Sequence, residues 1–174
     1  NLGDKRLNER SIKVIEALSI DPAASINGSV EKWSDTVAAY RLLDNANVNP
    51  ELIHQPHYHA TLARISKEPV VLIVQDTTEL DFSKHPPRDA GCLNKANRFG
   101  LYDHTHLAVT PAGLSLGVVG FRTFDRTEES LGKTRNRTQL PIEEKESFRW
   151  LEGYRLAGQV RELYPQTQIV SVAD

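Results

Sequence analysis

Residues 70–76, Val70-Val71-Leu72-Ile73-Val74-Gln75-Asp76, decide the fold: five consecutive apolar residues rich in β-branched types, closing on an acid. Such a run suits a strand buried on both faces. A similar run, Ile169-Val170-Ser171-Val172-Ala173-Asp174, closes on a second acid. Between them, residues 107–110 and 114–124 flank Pro111-Ala112-Gly113 and read as a hairpin. Residues 143–164 read as a long helix, with Trp150, Gly153, Ala157, Val160 and Tyr164 on one face and Glu152, Arg155, Gln159 and Glu162 on the other. Pro165 ends it. The order strand, hairpin, helix, strand lets the last strand lie parallel to and beside the first, joined by a helical crossover. Asp76 and Asp174 then end neighbouring strands at one sheet edge. Two carboxylates about 4 Å apart repel by roughly 4 kcal/mol at an effective dielectric of about 20. A divalent cation that favours hard oxygen ligands, Mg²⁺ or Mn²⁺, offsets that repulsion. Singly, each aspartate reads as a turn residue closing a strand; the pair gives the metal reading equal standing.

Upstream of residue 67 the pattern is helical. Leu7, Ser11, Val14, Ile15 and Leu18 share one face at helical spacing, and the segment ends at Asp21-Pro22. A second helix starts after Ser34 or Asp35, with Val37, Ala38 and Leu42 expected in its buried face. A third opens at Asn49-Pro50-Glu51, Asn as the cap and Pro in the first turn, is kinked or restarted by Pro56, and runs to about Ile65. The fold class is therefore α+β: a small N-terminal helical bundle over residues 1–66, then a mixed β-sheet domain with a crossover helix over 67–174.

Composition narrows the function. The 174 residues suit one domain, or a small domain and part of another. The 21 Lys+Arg nearly balance 23 Asp+Glu, so a basic surface must be local. No apolar run approaches a membrane span. Cys92 is the sole cysteine, which excludes an intrachain disulfide and any multi-Cys zinc site and makes a reducing cytoplasm the natural compartment. Asn1 is not an initiator Met, and a strand closes at residue 174, so both ends read as cut from a longer protein.

Several short motifs run in a familiar order: Leu2-Gly3-Asp4 with Arg6-Leu7, Ala39-Tyr40-Arg41, Asp76-Thr77-Thr78, the Gly113-Leu114 hairpin, Lys145-Glu146-Ser147 with Trp150, and Val172-Ala173-Asp174. Through nearly the whole chain the sequence resembles the IS4-family DDE transposases, the Tn5-like group. The resemblance implies a transposon-end DNA-binding domain over 1–66 and the first part of an RNase H-like catalytic domain over 67–174. It implies that Asp76 and Asp174 are the first two of three carboxylates holding two divalent metals, Mg²⁺ or Mn²⁺. The third, a Glu, would lie further downstream, leaving this piece inactive alone. Double-stranded DNA, both transposon ends and target, is the implied partner, the full-length protein is expected to work as a homodimer, and the bacterial nucleoid is the implied location. The alternatives are another RNase H-like nuclease with an appended helical module, or a non-catalytic DNA-binding or inhibitory derivative.

Arg6, Arg10 and Lys13 are spaced i, i+4, i+7, a cationic stripe apart from the Leu7/Val14/Leu18 face. A solvated stripe is the ordinary reading. The resemblance favours DNA contact, because Arg6, Arg10 and Arg41 match end-contact positions. Lys133, Arg135 and Arg137 form a second basic cluster, read equally as a solvated loop or a backbone contact. His54, His57 and His59 lack the further ligands a zinc site needs and read as surface or packing residues. Thr77, Thr78, Asp81 and His85 are at most supporting groups for Asp76, and Cys92 has no partner signal for nucleophilic chemistry.

Overall fold

A computed structural model describes residues 1–95, 97–126 and 140–173. Two compact units, Asn1–His57 and Tyr58–Asp174, divide within one helix just past Pro56 rather than at the composition change near residue 67.

In the first unit, α1 (Lys5–Ile20) starts where the Asp4 carboxylate accepts from the backbone N–H groups of Arg6 and Leu7. Those bonds satisfy two of the donors a helix start leaves open. A short α2 (Ile26–Ser29), absent from the sequence reading, is capped by Ser25. Then α3 (Trp33–Leu43) buries Thr36, Ala39 and Leu42, while Val37 and Ala38 are only half-buried. The packed face is thus turned by one residue from the expected one, since 36, 39 and 42 keep the three-residue step that a helix aligns. Ile15, expected on the inner face of α1, is 52% exposed. At the start of α4 (Pro50–Ile65), Asn49 Oδ1 accepts from Leu52 N at 2.8 Å. Pro56 lies inside α4 without restarting it. The capped start and the buried Leu62 and Ile65 at its far end flank the hydrogen bond that proline removes.

The second unit is built on β1 (Val70–Asp81), β2 (Gly91–Cys92), β3 (Phe99–Val109), β4 (Ser115–Phe124) and β5 (Gln168–Val172). β1 pairs antiparallel with β3 on one side and parallel with β5 on the other; β2 and β4 both pair with β3. The expected parallel pair is present, with Val70↔Gln168 through Val74↔Val172 in register. The β3–β4 turn uses Gly113 at φ +85°, a region that L side chains avoid. Register shifts after His106 and Ala108 place both Leu116 and Val119 in the core, three residues apart, which strict alternation forbids. A 3₁₀ turn (Ile142–Glu144) leads into α5 (Phe148–Leu163), the crossover to β5.

The core joins Leu62 and Ile65 of α4, Val71 and Ile73 of β1, Ala108 of β3, Leu116 and Val119 of β4, and Ala157 and Val160 of α5. Each fully buried aliphatic side chain contributes about 1.5–3 kcal/mol. Arg64 Nε donates to the Leu116 carbonyl at 2.6 Å, tying the end of α4 to the irregular start of β4.

Gly153 lets α5 lie against the sheet. A Cβ there would stand 2.1 Å from Gln75 Oε1 and 2.5 Å from His106 Nε2. Gly153→Ala is therefore expected to lower unfolding free energy by about 1–3 kcal/mol in urea titrations. Gly158→Ala, one turn on with nothing within 4 Å, should be neutral or stabilise by up to about 1 kcal/mol. Equal effects at the two sites would contradict this packing role.

Candidate active site and nucleic-acid interface

Asp76 does not end its strand. The following Thr77-Thr78-Glu79-Leu80-Asp81 stays extended because β3 pairs with it as far as Asp81↔Gly100. Asp76 therefore stands mid-strand on the central strand, exposed, on the face opposite Gln75. Its Oδ1 accepts from Thr77 N at 2.7 Å, and no cation pairs with it among the described residues. Across the ladder lies Thr105, whose hydroxyl donates to Asp103 Oδ2 at 2.6 Å, so a second acid flanks the site that sequence reading did not single out. On the other side, Val172 pairs with Val74. Asp76 and Asp174 each follow that pair by two residues in sequence; Asp174 itself lies outside the described residues.

Directly beneath Asp76, a fully buried imidazole holds both of its chain neighbours. His104 Nδ1 is 2.8 Å from Thr77 Oγ1, and Nε2 is 3.4 Å from Gln75 Oε1. Gln75 Nε2 in turn donates to Ser171 Oγ on β5 at 3.0 Å. Because the Gln75 oxygen can only accept, Nε2 carries the ring proton and Nδ1 accepts from the Thr77 hydroxyl. A hydrogen-bonded chain thus crosses β3, β1 and β5. Trp150 of α5 closes over it edge-on, its ring centroid 4.6 Å from that of His104. The alternation around 104 and 106 marks an inward face, but the partners come from three other elements, which local spacing does not reveal.

Of the other expected supporters, Thr78 points to solvent and His85 is exposed. Asp81 serves the strand end: its carboxylate accepts from Ser83 and pairs with Arg98 at 2.8 Å, hydrogen bonds that hold it well below the usual carboxylate range. Glu146, in the Lys145-Glu146-Ser147 motif, takes a bidentate bond from Arg126 at 2.7 and 2.6 Å. The Arg126 guanidinium also lies over Tyr102 and donates to its hydroxyl, so this motif fixes the approach to α5.

In the first unit, Arg6, Arg10 and Lys13 line one side of an open groove of about 690 Å³ whose other wall includes Val30, Lys32, Asp35 and Ala38. Glu9, Glu31 and Asp35 interleave with the cations, so the groove is of mixed charge. Val14, expected on the packed face, also lines it. Arg41 is exposed near the end of α3, outside that lining.

The three α4 histidines gather no metal set: among the described residues no three His, Cys, Asp or Glu side chains converge. Cys92 is buried in β2. Lys133, Arg135 and Arg137 lie outside the described residues. No helix among the described residues is long and apolar enough to cross a membrane.

Residues 1–48 match the family model for the transposase DNA-binding domain. No curated protein matches the chain. The match spans α1, α2 and α3 and the groove between them, and it supports a transposase with DNA as a partner of this unit.

Burial, with His106 and Arg149 nearby, pushes His104 down to about 4, while Asp76 and Asp103 oppose the shift. In the unfolded chain histidine titrates near 6.5. The unfolded state therefore binds the extra proton first as pH falls. The contribution is intact above about pH 6.5 and is lost on descent through about pH 4, by at most about 3 kcal/mol. Unfolding free energies across pH 4–7 should show this loss, and His104→Gln should flatten it. An equally steep profile in the variant would contradict the assignment.

Proposed function

We propose that the chain is a piece of a cut-and-paste DNA transposase of the IS4, Tn5-like kind. The observation that carries this reading is the transposase DNA-binding match over residues 1–48, ahead of a mixed sheet whose central strand presents Asp76. In this reading the first unit holds the transposon end, and the second is the opening portion of an RNase H-like nuclease domain. Arg6 and Arg10 reach phosphates or base edges from the groove wall, Lys13 contributes least because Glu9 and Glu16 flank it, and Arg41 contacts DNA from α3. The full-length protein acts as a homodimer on two ends.

Asp76 and Asp174 are the proposed ligands for Mg²⁺ or Mn²⁺. The donor set fits such an ion in kind: Asp76 is an exposed carboxylate without a cationic partner among the described residues, on a strand that β3 pairs through that position. It falls short in number, which is the basis for expecting no activity from this piece alone. When bound, two such metals activate a water or 3′-hydroxyl and stabilise the leaving oxygen of a scissile phosphate. The chain's own contribution is positional. β3 pairs with β1 through Asp76, β5 pairs with it as far as Val74, and the His104 bonds hold the side chains of Gln75 and Thr77 on either side.

Two outcomes are expected. In salt titrations against the transposon's own end and a scrambled duplex, replacing a phosphate-contacting residue with Ala should weaken both and reduce the salt slope by about one. Replacing one that reads a guanine edge should cost about 1–3 kcal/mol on the end alone. Arg6→Ala and Arg10→Ala should each show one of these patterns, with Lys13→Ala the mildest. If all three bind as the parent does, the groove is a solvated face. Separately, the chain as it stands should leave supercoiled and linear DNA intact with either metal; nicking that survives Asp76→Asn would remove Asp76 from the chemistry.

A further inference from the structure

A second groove, about 600 Å³ and basic, lies within the sheet unit between β4 and α5, on the face away from Asp76. Arg122, Arg149 and Arg155 line it, with Glu152 as the acidic group and His106 among the buried lining residues. Glu152 is committed to Arg122. Arg149 has weaker compensation: its Nη1 donates to the Glu146 carbonyl at 2.8 Å, but the Glu146 carboxylate is 4.0 Å away and already engaged by Arg126. Arg155 pairs with no carboxylate among the described residues and is held 5.2 Å over the Phe148 ring.

Two further observations separate this groove from a scatter of surface arginines. The guanidinium of Arg149 is sandwiched near Phe124 and Trp150, at 5.0 and 5.9 Å from their ring centroids, so its orientation is set before any ligand arrives. A buried donor here also lacks a partner. Arg149 Nε has no hydrogen-bond partner among the described residues, and His106, only 5% exposed, lines the same groove. Ring packing alone leaves that donor unmet, and a buried unsatisfied donor is costly. Three guanidiniums against one committed carboxylate, with one buried guanidinium N–H unmet, fit a compact anion of several oxygens.

We propose that the groove between β4 and α5 binds a phosphate group of a nucleic-acid backbone, with Arg149 and Arg155 as its donors. Guanidinium forks match phosphate oxygens in pairs. DNA is the favoured source because residues 1–48 of the same chain match a transposase DNA-binding domain, and a strand held there raises the local concentration of phosphates for a second contact. The inference shares with the proposed function only the premise that this chain meets DNA.

The test uses the full chain, a duplex of arbitrary sequence, and inorganic phosphate as separate probes. Imidazole carbon–proton NMR signals of His106 report the groove, and salt titration of duplex affinity reports the contact. The duplex should shift the His106 signals. Arg155→Ala, at an exposed position, should keep the parent melting temperature and lower the salt slope by about one, so a fourfold rise in salt costs the variant about fourfold less affinity. Arg155→Lys should restore the slope, and Arg149→Gln should suppress the His106 response. Parent-like slopes and His106 shifts in both Arg155→Ala and Arg149→Gln would overturn the proposal. So would His106 shifts with inorganic phosphate and none with duplex. Because Arg6 and Arg10 belong to the other unit, loss of binding in their variants with no change in Arg155→Ala would sink this site and leave the transposase reading standing.

Discussion

β1 has a backbone partner on both sides, antiparallel β3 and parallel β5, and the second unit is organised around that double pairing. A parallel neighbour demands a crossover, and α5 supplies it. The crossover must lie on one face of the sheet, and Gly153 lets it come close enough to cover Gln75, His104 and His106. With that face occupied, the pleat sends Asp76 to the other. Its exposure is thus a consequence of where the helix packs. The imidazole of His104 then secures the strand from below, since its two nitrogens reach the residues before and after Asp76.

What was legible in the sequence followed from patterns local to one element. The apolar runs announced β1 and β5 and their parallel pairing, Pro111-Ala112-Gly113 announced the hairpin, and Gly153, Ala157 and Val160 announced the inner face of α5. Asn49 caps its helix as its position suggested. The failures share a cause: they depend on partners far away in sequence. Residues 77–81 remain a strand because β3 is there to pair with them, so Asp76 moved from strand end to strand centre. Leu116 and Val119 turn inward together only because β4 bulges against β3. The His104–Gln75–Ser171 chain and the Arg126–Glu146 clasp join residues from separate elements, and no single spacing encodes them. On α1, Ile15 belonged to the apolar periodicity and is nonetheless exposed, because the helix packs on a narrower stripe than its pattern offered.

The two units divide the proposed work along physical lines. The first has a groove whose cations and carboxylates nearly balance, so recognition there rests on individual side chains more than on bulk attraction. The second has a carboxylate held rigidly on one face and a guanidinium cluster on the other, separated by the thickness of the sheet and its buried histidines. A rigid central strand suits a ligand that must bridge metals, because such geometry tolerates little displacement.

The proposed metal role of Asp76 is most directly tested by titrating the full chain with Mn²⁺ and mapping paramagnetic broadening of its backbone amide signals. The expected result is broadening centred on residues 75–78 and the end of β5, lost in Asp76→Asn while the fold is kept. Broadening centred instead on residues 54–59, or unchanged by Asp76→Asn, would contradict it.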